Sequence, residues 1–84
     1  MENGVLYIVP TPIGNLSDIT YRALKTLKEV DIIAAENIKH TNILLKNFKI
    51  QNVLISMNKH NEYQKSDYLI RQLKKGKNIA IVSN

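Results

Sequence analysis

Cysteine is absent from the sequence, which excludes a disulfide framework, a thiolate metal site and a cysteine nucleophile. Long apolar runs are absent as well, since no apolar run of the sequence approaches the roughly 20 residues that a membrane span requires. The first residues lack the basic segment of a signal peptide. From these absences we expect a cytoplasmic protein that makes no membrane contact.

Arginine is scarce although the chain is basic. Twelve Lys and Arg stand against seven Asp and Glu, a net charge of +5, but only Arg22 and Arg71 carry a guanidinium. Excess positive charge is typical of proteins that bind polyanions such as RNA, and arginine is the residue best suited to paired contacts with phosphates and bases. Ten lysines, ten asparagines and twelve isoleucines also match the composition that genome base bias produces. The charge therefore supports an RNA partner only together with other evidence.

Short apolar runs alternate with helical periodicities along all 84 residues. Strands are predicted at residues 5–9, 31–35, 53–55 and 79–82, and the first of them, VLYIV, is expected to be buried on both faces of a sheet. A helix is predicted between each pair of successive strands. The order βαβαβαβ predicts an α/β domain with a parallel sheet of about four strands, whose order in the sheet the pattern does not reveal.

The predicted helices have recognisable ends and buried faces. Ser17 is expected to cap the first helix, and Asn61 with Gln64 the third, which Gly76 then ends in the left-handed conformation. The second helix is predicted at residues 39–47. The apolar residues expected to face the sheet are Ile19, Ala23, Leu24 and Leu27 with the first helix, Leu44, Leu45 and Phe48 with the second, and Leu69, Ile70 and Leu73 with the third.

The loops that follow the strands are the places to search for a site, because ligands of parallel sheets bind outside the carboxyl ends of the strands. The first loop is TPIGNL at residues 11–16, where Pro12 stiffens the backbone and Gly14 permits a positive φ or the close approach of a small ligand. One glycine does not make a dinucleotide-binding fingerprint, which needs three. The alternative is an ordinary turn between a strand and a helix.

Two further loops hold ionisable groups. Glu36, Lys39 and His40 follow the second strand and offer an acid, a cation and a group that titrates near neutral pH. Residues 58–62, NKHNE, follow the third strand. In the alternative interpretation the polar residues of both loops cap helices and the charges are solvated. The two histidines lie on separate loops, which is a weak signal for zinc, and we expect no metal site.

Several of these segments resemble one family closely. They are LYIVPTPIGNLSDIT at residues 6–20, VDIIAAE at 30–36, HT at 40–41, LL at 44–45, HNE at 60–62 and IVS at 81–83. In this order and without a long gap, they are similar to the opening of the ribosomal RNA small subunit methyltransferase I family, part of the tetrapyrrole methylase superfamily. The TPIGNL stretch is specific within that superfamily.

The resemblance implies an activity and a set of site residues. Members of the family methylate a ribose 2′-hydroxyl of cytidine in small-subunit ribosomal RNA, with S-adenosylmethionine as methyl donor, in a cleft between two α/β domains. The implied cofactor-binding residues are Pro12, Gly14 and Ser83. The implied catalytic residues are Glu36, His40, His60, Asn61 and Glu62, none of which the sequence singles out as the general base.

The chain departs from the family pattern in two places. The family usually reads EDTRHT where this chain has ENIKHT at residues 36–41, so an ammonium at Lys39 replaces a guanidinium, which is not conservative at a bidentate site. The family continues SDAGTP after the fourth strand, whereas here Ser83 and Asn84 are the last residues. We therefore expect residues 1–84 to form an N-terminal α/β domain, truncated before a cofactor loop and a second domain and inactive alone.

Three interpretations of function remain open at this point. The first is part of an enzyme that methylates ribosomal RNA. The second is a non-catalytic truncated remnant that at most binds RNA or another partner, and the third, disfavoured by the TPIGNL loop, is a methylase of small tetrapyrrole-like molecules. In each case an incomplete sheet leaves an edge and an apolar face uncovered, so we expect a homodimer.

Overall fold

Three α-helices and four strands alternate along the chain in the computed structural model, which describes residues 2–12 and 14–83. The strands are β1 (Leu6–Pro10), β2 (Ile32–Ala35), β3 (Leu54–Ser56) and β4 (Ile79–Ser83). The helices are α1 (Tyr21–Glu29), α2 (Ile38–Asn47) and α3 (Glu62–Lys74), and a short 3₁₀ helix (Leu16–Asp18) precedes α1. The predicted βαβαβαβ order is confirmed. None of the described helices is long and apolar enough to span a membrane.

The strands form one parallel sheet in the order β1-β4-β2-β3. β4 therefore lies between β1 and β2 and pairs with both, so that Val82 is level with Val9 on one side and with Ala35 on the other. β3 forms the far edge, where Ser56 is level with Ala35. As a result the carboxyl ends of β4, β2 and β3 lie next to one another.

Helices cover both faces of the sheet. Leu27 of α1 and Leu44 of α2 are buried in one hydrophobic cluster together with Ile33. Leu69 of α3 belongs to a second cluster with Ile79, and the alternation of side chains along a strand places this cluster on the opposite face. The helices that follow β2 and β3 thus leave the sheet toward opposite faces. This reversal opens a crevice between the carboxyl ends of these two strands.

β1 is an edge strand, and the prediction that it is buried on both faces is wrong. Only Val9 of this strand is buried, whereas Leu6, Tyr7 and Ile8 are 45%, 40% and 64% exposed. An apolar run indicates that a strand can be buried, but the position of that strand in the sheet depends on pairing partners that are distant in the sequence. Here β4, the last strand in the chain, takes the place between β1 and β2.

The start of α1 differs from the prediction in detail. Thr20, not Ser17, caps this helix, since its hydroxyl accepts a hydrogen bond from the Ala23 N–H at 3.0 Å. Ser17 lies within the 3₁₀ helix, and its N–H donates to the side-chain oxygen of Asn15 at 3.0 Å. Asn15 and Thr20 are therefore two successive caps, because the chain makes a short 3₁₀ turn before α1 begins.

The predicted end of α3 is confirmed, but its predicted start and buried face are not fully matched. Gly76 has φ +88°, and its N–H donates to the Leu73 carbonyl at 3.0 Å. Asn61 precedes the helix but makes no side-chain cap bond within the described chain, and Ile70 is 50% exposed rather than buried. Of the other residues predicted to face the sheet, Ala23, Leu27, Leu44, Leu45 and Leu69 are buried and Ile19, Leu24, Phe48 and Leu73 are half-buried.

Candidate functional site

A cleft of about 630 Å³ opens at the carboxyl ends of β4, β2 and β3. It occupies the crevice where α2 and α3 leave the sheet in opposite directions, which is where open α/β sheets bind their ligands. A volume of this size suits a small molecule of nucleoside dimensions. The residues that line it are Ala34, Ala35, Glu36, Asn37, Thr41, Met57, Asn58, Lys59, Glu62, Ile81, Val82 and Ser83.

The lining combines apolar surface with charged side chains. Ala34 and Ile81 contribute apolar strand surface, and Met57 continues it beyond β3. Glu36 and Glu62 are exposed, as is Lys59 between them in the sequence. The cleft therefore presents two carboxylates and one ammonium beside an apolar surface.

The tight connection between β2 and α2 positions Glu36. It follows Ala35 directly, and the next residue, Asn37, caps α2 by accepting a hydrogen bond from the His40 N–H at 3.0 Å. Ile38 is half-buried against the core cluster that α1 and α2 share. The unusual Asn37 and Ile38 therefore serve the fold as a helix cap and as a packing residue.

The connection between β3 and α3 is held by two asparagines. The Asn61 side-chain oxygen accepts from the Asn58 N–H at 2.8 Å, and the Asn58 side-chain oxygen accepts from the His60 N–H at 2.9 Å and the Asn61 N–H at 3.2 Å. The Asn61 amide also donates to the Ser56 carbonyl at 3.4 Å. These bonds fix the turn from which Lys59 reaches the cleft.

The loop after β1 is attached to α2. His40 Nε2 lies 3.2 Å from the carbonyl oxygen of Pro12, and both residues are half-buried. The Thr11 N–H donates to the Ser83 carbonyl at 2.8 Å and so extends the pairing of β1 with β4. The loop after β1 therefore lies at the carboxyl ends of the strands, where the cleft also opens. Pro12 and Gly14 nevertheless do not line the cleft.

Comparison with known proteins identifies the family. The family model described as Tetrapyrrole (Corrin/Porphyrin) Methylases matches residues 5–84. The chain is a member of the tetrapyrrole methylase family.

Curated relatives align with nearly all of this tetrapyrrole methylase chain. A protein of Buchnera aphidicola subsp. Acyrthosiphon pisum (strain APS) is 74% identical over 81 residues, or 96% of the chain. One of Escherichia coli O157:H7 is 56% identical over 83 residues, or 99% of the chain, and one of Streptococcus pyogenes serotype M6 is 52% identical over 82 residues, or 98%. All three are named Ribosomal RNA small subunit methyltransferase I, and the chain spans 29% of the length of each.

Only some of the site residues that family resemblance implied are brought together. Glu36, Glu62 and Ser83 line the cleft. Asn61 holds the turn beside it, while His60 is exposed and lies outside the lining. The predicted roles of all these residues in the tetrapyrrole methylase stay predictions.

Pro12, Gly14 and His40 do not line the cleft. A Cβ at Gly14 would meet nothing within 4 Å, and the glycine with positive φ among the described residues is Gly76. The chain itself therefore gives no steric reason for a glycine at this position, and its predicted role toward a ligand stays a prediction. Ile13 of the same loop and Asn84 at the end of the chain lie outside the described residues.

Sequence reasoning missed several lining residues. Asn58 and Lys59 belong to the polar loop that was singled out after the third strand, but they were not assigned as site residues, and Met57 follows that strand directly. Thr41 is 1% exposed and lines the cleft from the first half of α2. The signal that identifies these residues is the strand order, because it shows which two loops face each other across the crevice. The described residues contain no group of three or more His, Asp or Glu side chains that could hold a metal ion.

Proposed function

We propose that residues 1–84 are the N-terminal part of a methyltransferase that uses S-adenosylmethionine to methylate a ribose 2′-hydroxyl of cytidine in small-subunit ribosomal RNA. The observation that carries the proposal is the cleft at the carboxyl ends of β4, β2 and β3, in which Glu36, Lys59 and Glu62 stand beside apolar surface. The names of the aligned relatives support ribosomal RNA as the substrate rather than a small tetrapyrrole.

The side chains of the cleft fit the proposed methyl donor. S-adenosylmethionine, when bound, supplies a methyl group already activated by a positively charged sulfur. Glu36 and Glu62 complement a positive charge or accept hydrogen bonds from ribose hydroxyls, and Lys59 complements a carboxylate. Ala34, Met57 and Ile81 provide apolar surface for a flat base. Two carboxylates would repel RNA phosphates, so we place the RNA backbone outside this cleft.

The residues of the chain have two tasks in the proposed reaction. They must align the reacting groups, which matters most because the methyl donor is intrinsically reactive, and they must accept the proton that the ribose hydroxyl loses. We propose that one of Glu36, His60 and Glu62 accepts this proton, and that His40 and Asn61, which hold the neighbouring loops, position the reacting groups. We place Ser83, which lines the cleft, beside the cofactor, and we propose that Pro12 and Gly14 approach the cofactor from the loop next to the cleft.

A complete enzyme needs more than this chain. The relatives are longer, since the chain covers 29% of each of them, and we propose that the remaining part supplies the other wall of the cofactor site and the RNA surface. We also propose a homodimer, which the exposed edge of β1 supports. A ribosomal RNA substrate would place the protein in the cytoplasm.

A chimera tests the proposal. Residues 1–84 replace the matching segment of the Escherichia coli relative, and the purified chimera is incubated with S-adenosylmethionine and small ribosomal subunits from cells that lack that relative. We expect 2′-O-methylcytidine at a single position of the RNA, detected by mass spectrometry of RNA fragments. The unmodified relative serves as the positive control.

A folded chimera that transfers no methyl group under conditions where the relative is active would contradict the proposal. That result would favour the alternative of a non-catalytic chain that binds RNA or a partner. Methylation of a base instead of a ribose would contradict the 2′-hydroxyl assignment alone.

A further inference from the structure

Thr41 combines deep burial with a position on the cleft. It is 1% exposed, and with Thr11 it is one of two buried polar or charged residues in the described part of the chain. It lies in α2, one turn after the cap residue Asn37, and its side chain lines the cleft. The lining also includes Ala35 at the end of β2 and Val82, its pairing partner near the end of β4. As a lining residue that is almost fully buried, Thr41 lies at the bottom of the cleft.

The hydroxyl of Thr41 has no hydrogen-bond partner in the part of the chain that the structure describes. The backbone N–H of Thr41 donates to the Asn37 carbonyl at 3.1 Å, as in any helix, but the side chain makes no such bond. Among the described residues, every polar side-chain atom that is inaccessible to solvent has a hydrogen-bond partner. The Thr41 hydroxyl therefore keeps a small exposed area, and because Thr41 lines the cleft we place that area on the cleft side.

Among the described residues, the Thr41 hydroxyl contributes no hydrogen bond to the fold. A threonine inside a helix commonly satisfies its hydroxyl with the carbonyl of the preceding turn, and here it does not. Valine has nearly the same shape and would fill the same space without a polar group to desolvate. A hydroxyl held in a packed wall and open only toward a cleft is suited to bonding a molecule that occupies the cleft.

We infer that the Thr41 hydroxyl is a hydrogen-bonding partner of the small-molecule methyl donor, S-adenosylmethionine, at the bottom of the cleft. This inference rests on the proposed function. The ligand is the small molecule and not the RNA, because a residue that is 1% exposed lies too deep for a polymer chain to reach. The hydroxyl both donates and accepts, so it can pair with an amino group, a hydroxyl, a ring nitrogen or a carboxylate of the donor.

The test is a calorimetric titration of S-adenosylmethionine into the chimera and into three variants of it. Thr41→Val removes the hydroxyl and keeps the shape, while Thr41→Ser keeps the hydroxyl. Thr26→Val is the matched control, because Thr26 is a half-buried helical threonine of α1 that does not line the cleft. Thermal unfolding of each variant without ligand shows that all of them are folded.

We expect Thr41→Val to weaken binding by about threefold to tenfold, the effect of one lost neutral hydrogen bond, while its unfolding temperature is unchanged or higher. Thr41→Ser and Thr26→Val should bind within about twofold of the unsubstituted chimera. Equal affinity of Thr41→Val and the unsubstituted chimera would overturn the inference and leave the proposed function intact. No saturable binding by the folded, unsubstituted chimera would overturn both.

Discussion

The imidazole of His40 lies 3.2 Å from the carbonyl oxygen of Pro12, measured from Nε2, across 28 positions of the chain. The contact ties the loop after β1 to the first turn of α2. β4 separates β1 from β2 in the sheet, so the two segments meet only above the carboxyl ends of the strands. Because a carbonyl oxygen only accepts, Nε2 carries the proton in this contact, and only Nδ1 is left to accept one from a substrate. His40 does not line the cleft, so we propose that it positions the Pro12 loop rather than acting as the general base.

Substitution of His40 distinguishes these two roles. In the chimera, His40→Ala should release the Pro12 loop and raise KM for S-adenosylmethionine by about threefold to tenfold, with kcat changed less than about twofold. The measurement is steady-state methyl transfer to small ribosomal subunits. A fall in kcat of about a hundredfold or more at unchanged KM would instead identify His40 as the proton acceptor. His60→Ala is measured in the same assay for comparison, because His60 is exposed and lies outside the cleft lining.

Gly4 is required by close packing of the backbone. Its N–H donates to the Leu73 carbonyl at 2.7 Å, and a Cβ at this position would overlap the carbonyl of Lys77. Gly4→Ala should therefore lower the free energy of unfolding by about 1–3 kcal/mol, measured by denaturant titration of the 84-residue chain. Gly14→Ala is the matched control, because a Cβ there meets open space. If both variants are as stable as the original chain, the close approach of Gly4 and Lys77 is not present in solution.

Asn52 caps the carboxyl end of α1 from a distance. Its side-chain amide donates to the carbonyls of Leu27 and Val30 at 2.9 and 2.8 Å. Asn52→Ala leaves both carbonyls without this donor and should destabilise the chain by about 1–3 kcal/mol in a denaturant titration. Asn42→Ala, on the exposed side of α2, should change stability by less than about 0.5 kcal/mol. Equal effects of the two substitutions would contradict the role of Asn52.

The free edge of β1 predicts self-association of the 84-residue chain. Ile8 is 64% exposed on this strand. Residues 6–10 carry no charge that would discourage pairing with a strand of a second molecule. Sedimentation velocity should show a dimer whose fraction rises with concentration, and Ile8→Lys should shift it to monomer. Ile43→Lys, at a residue 59% exposed on α2, should leave the dimer unchanged. A monomer at high concentration for the original chain would refute the expected homodimer.

The order and type of the elements were predictable because the apolar periods are local. Residues 31–35 and 79–82 are continuous apolar runs apart from the leading Asp31, and they became the central strands β2 and β4. The exposure of β1 was not predictable in the same way. Its sequence is as apolar as that of β4, and only the pairing order β1-β4-β2-β3 places it at the edge.

The location of the site was predictable to the level of loops, but not to the level of side chains. Glu36 and Glu62 follow strands that face the cleft, as the rule for carboxyl ends of parallel strands requires. Asn61 looked like a helix cap or a site residue, whereas its side chain bonds the Asn58 N–H within the turn. Thr41 was overlooked because its orientation depends on how α2 packs against the sheet.

The cleft of this chain is proposed to hold the methyl donor, and calorimetric titration of S-adenosylmethionine into a charge-neutralised chimera shows whether it does. Glu36→Gln combined with Glu62→Gln removes the two carboxylates of the cleft, and Glu29→Gln, at the end of α1, is the control outside it. We predict that the double substitution weakens binding by about tenfold or more, since hydrogen bonds to charged groups contribute roughly 1.5–3 kcal/mol, and that Glu29→Gln has no effect. Equal affinity of all three proteins would show that the donor binds outside this cleft.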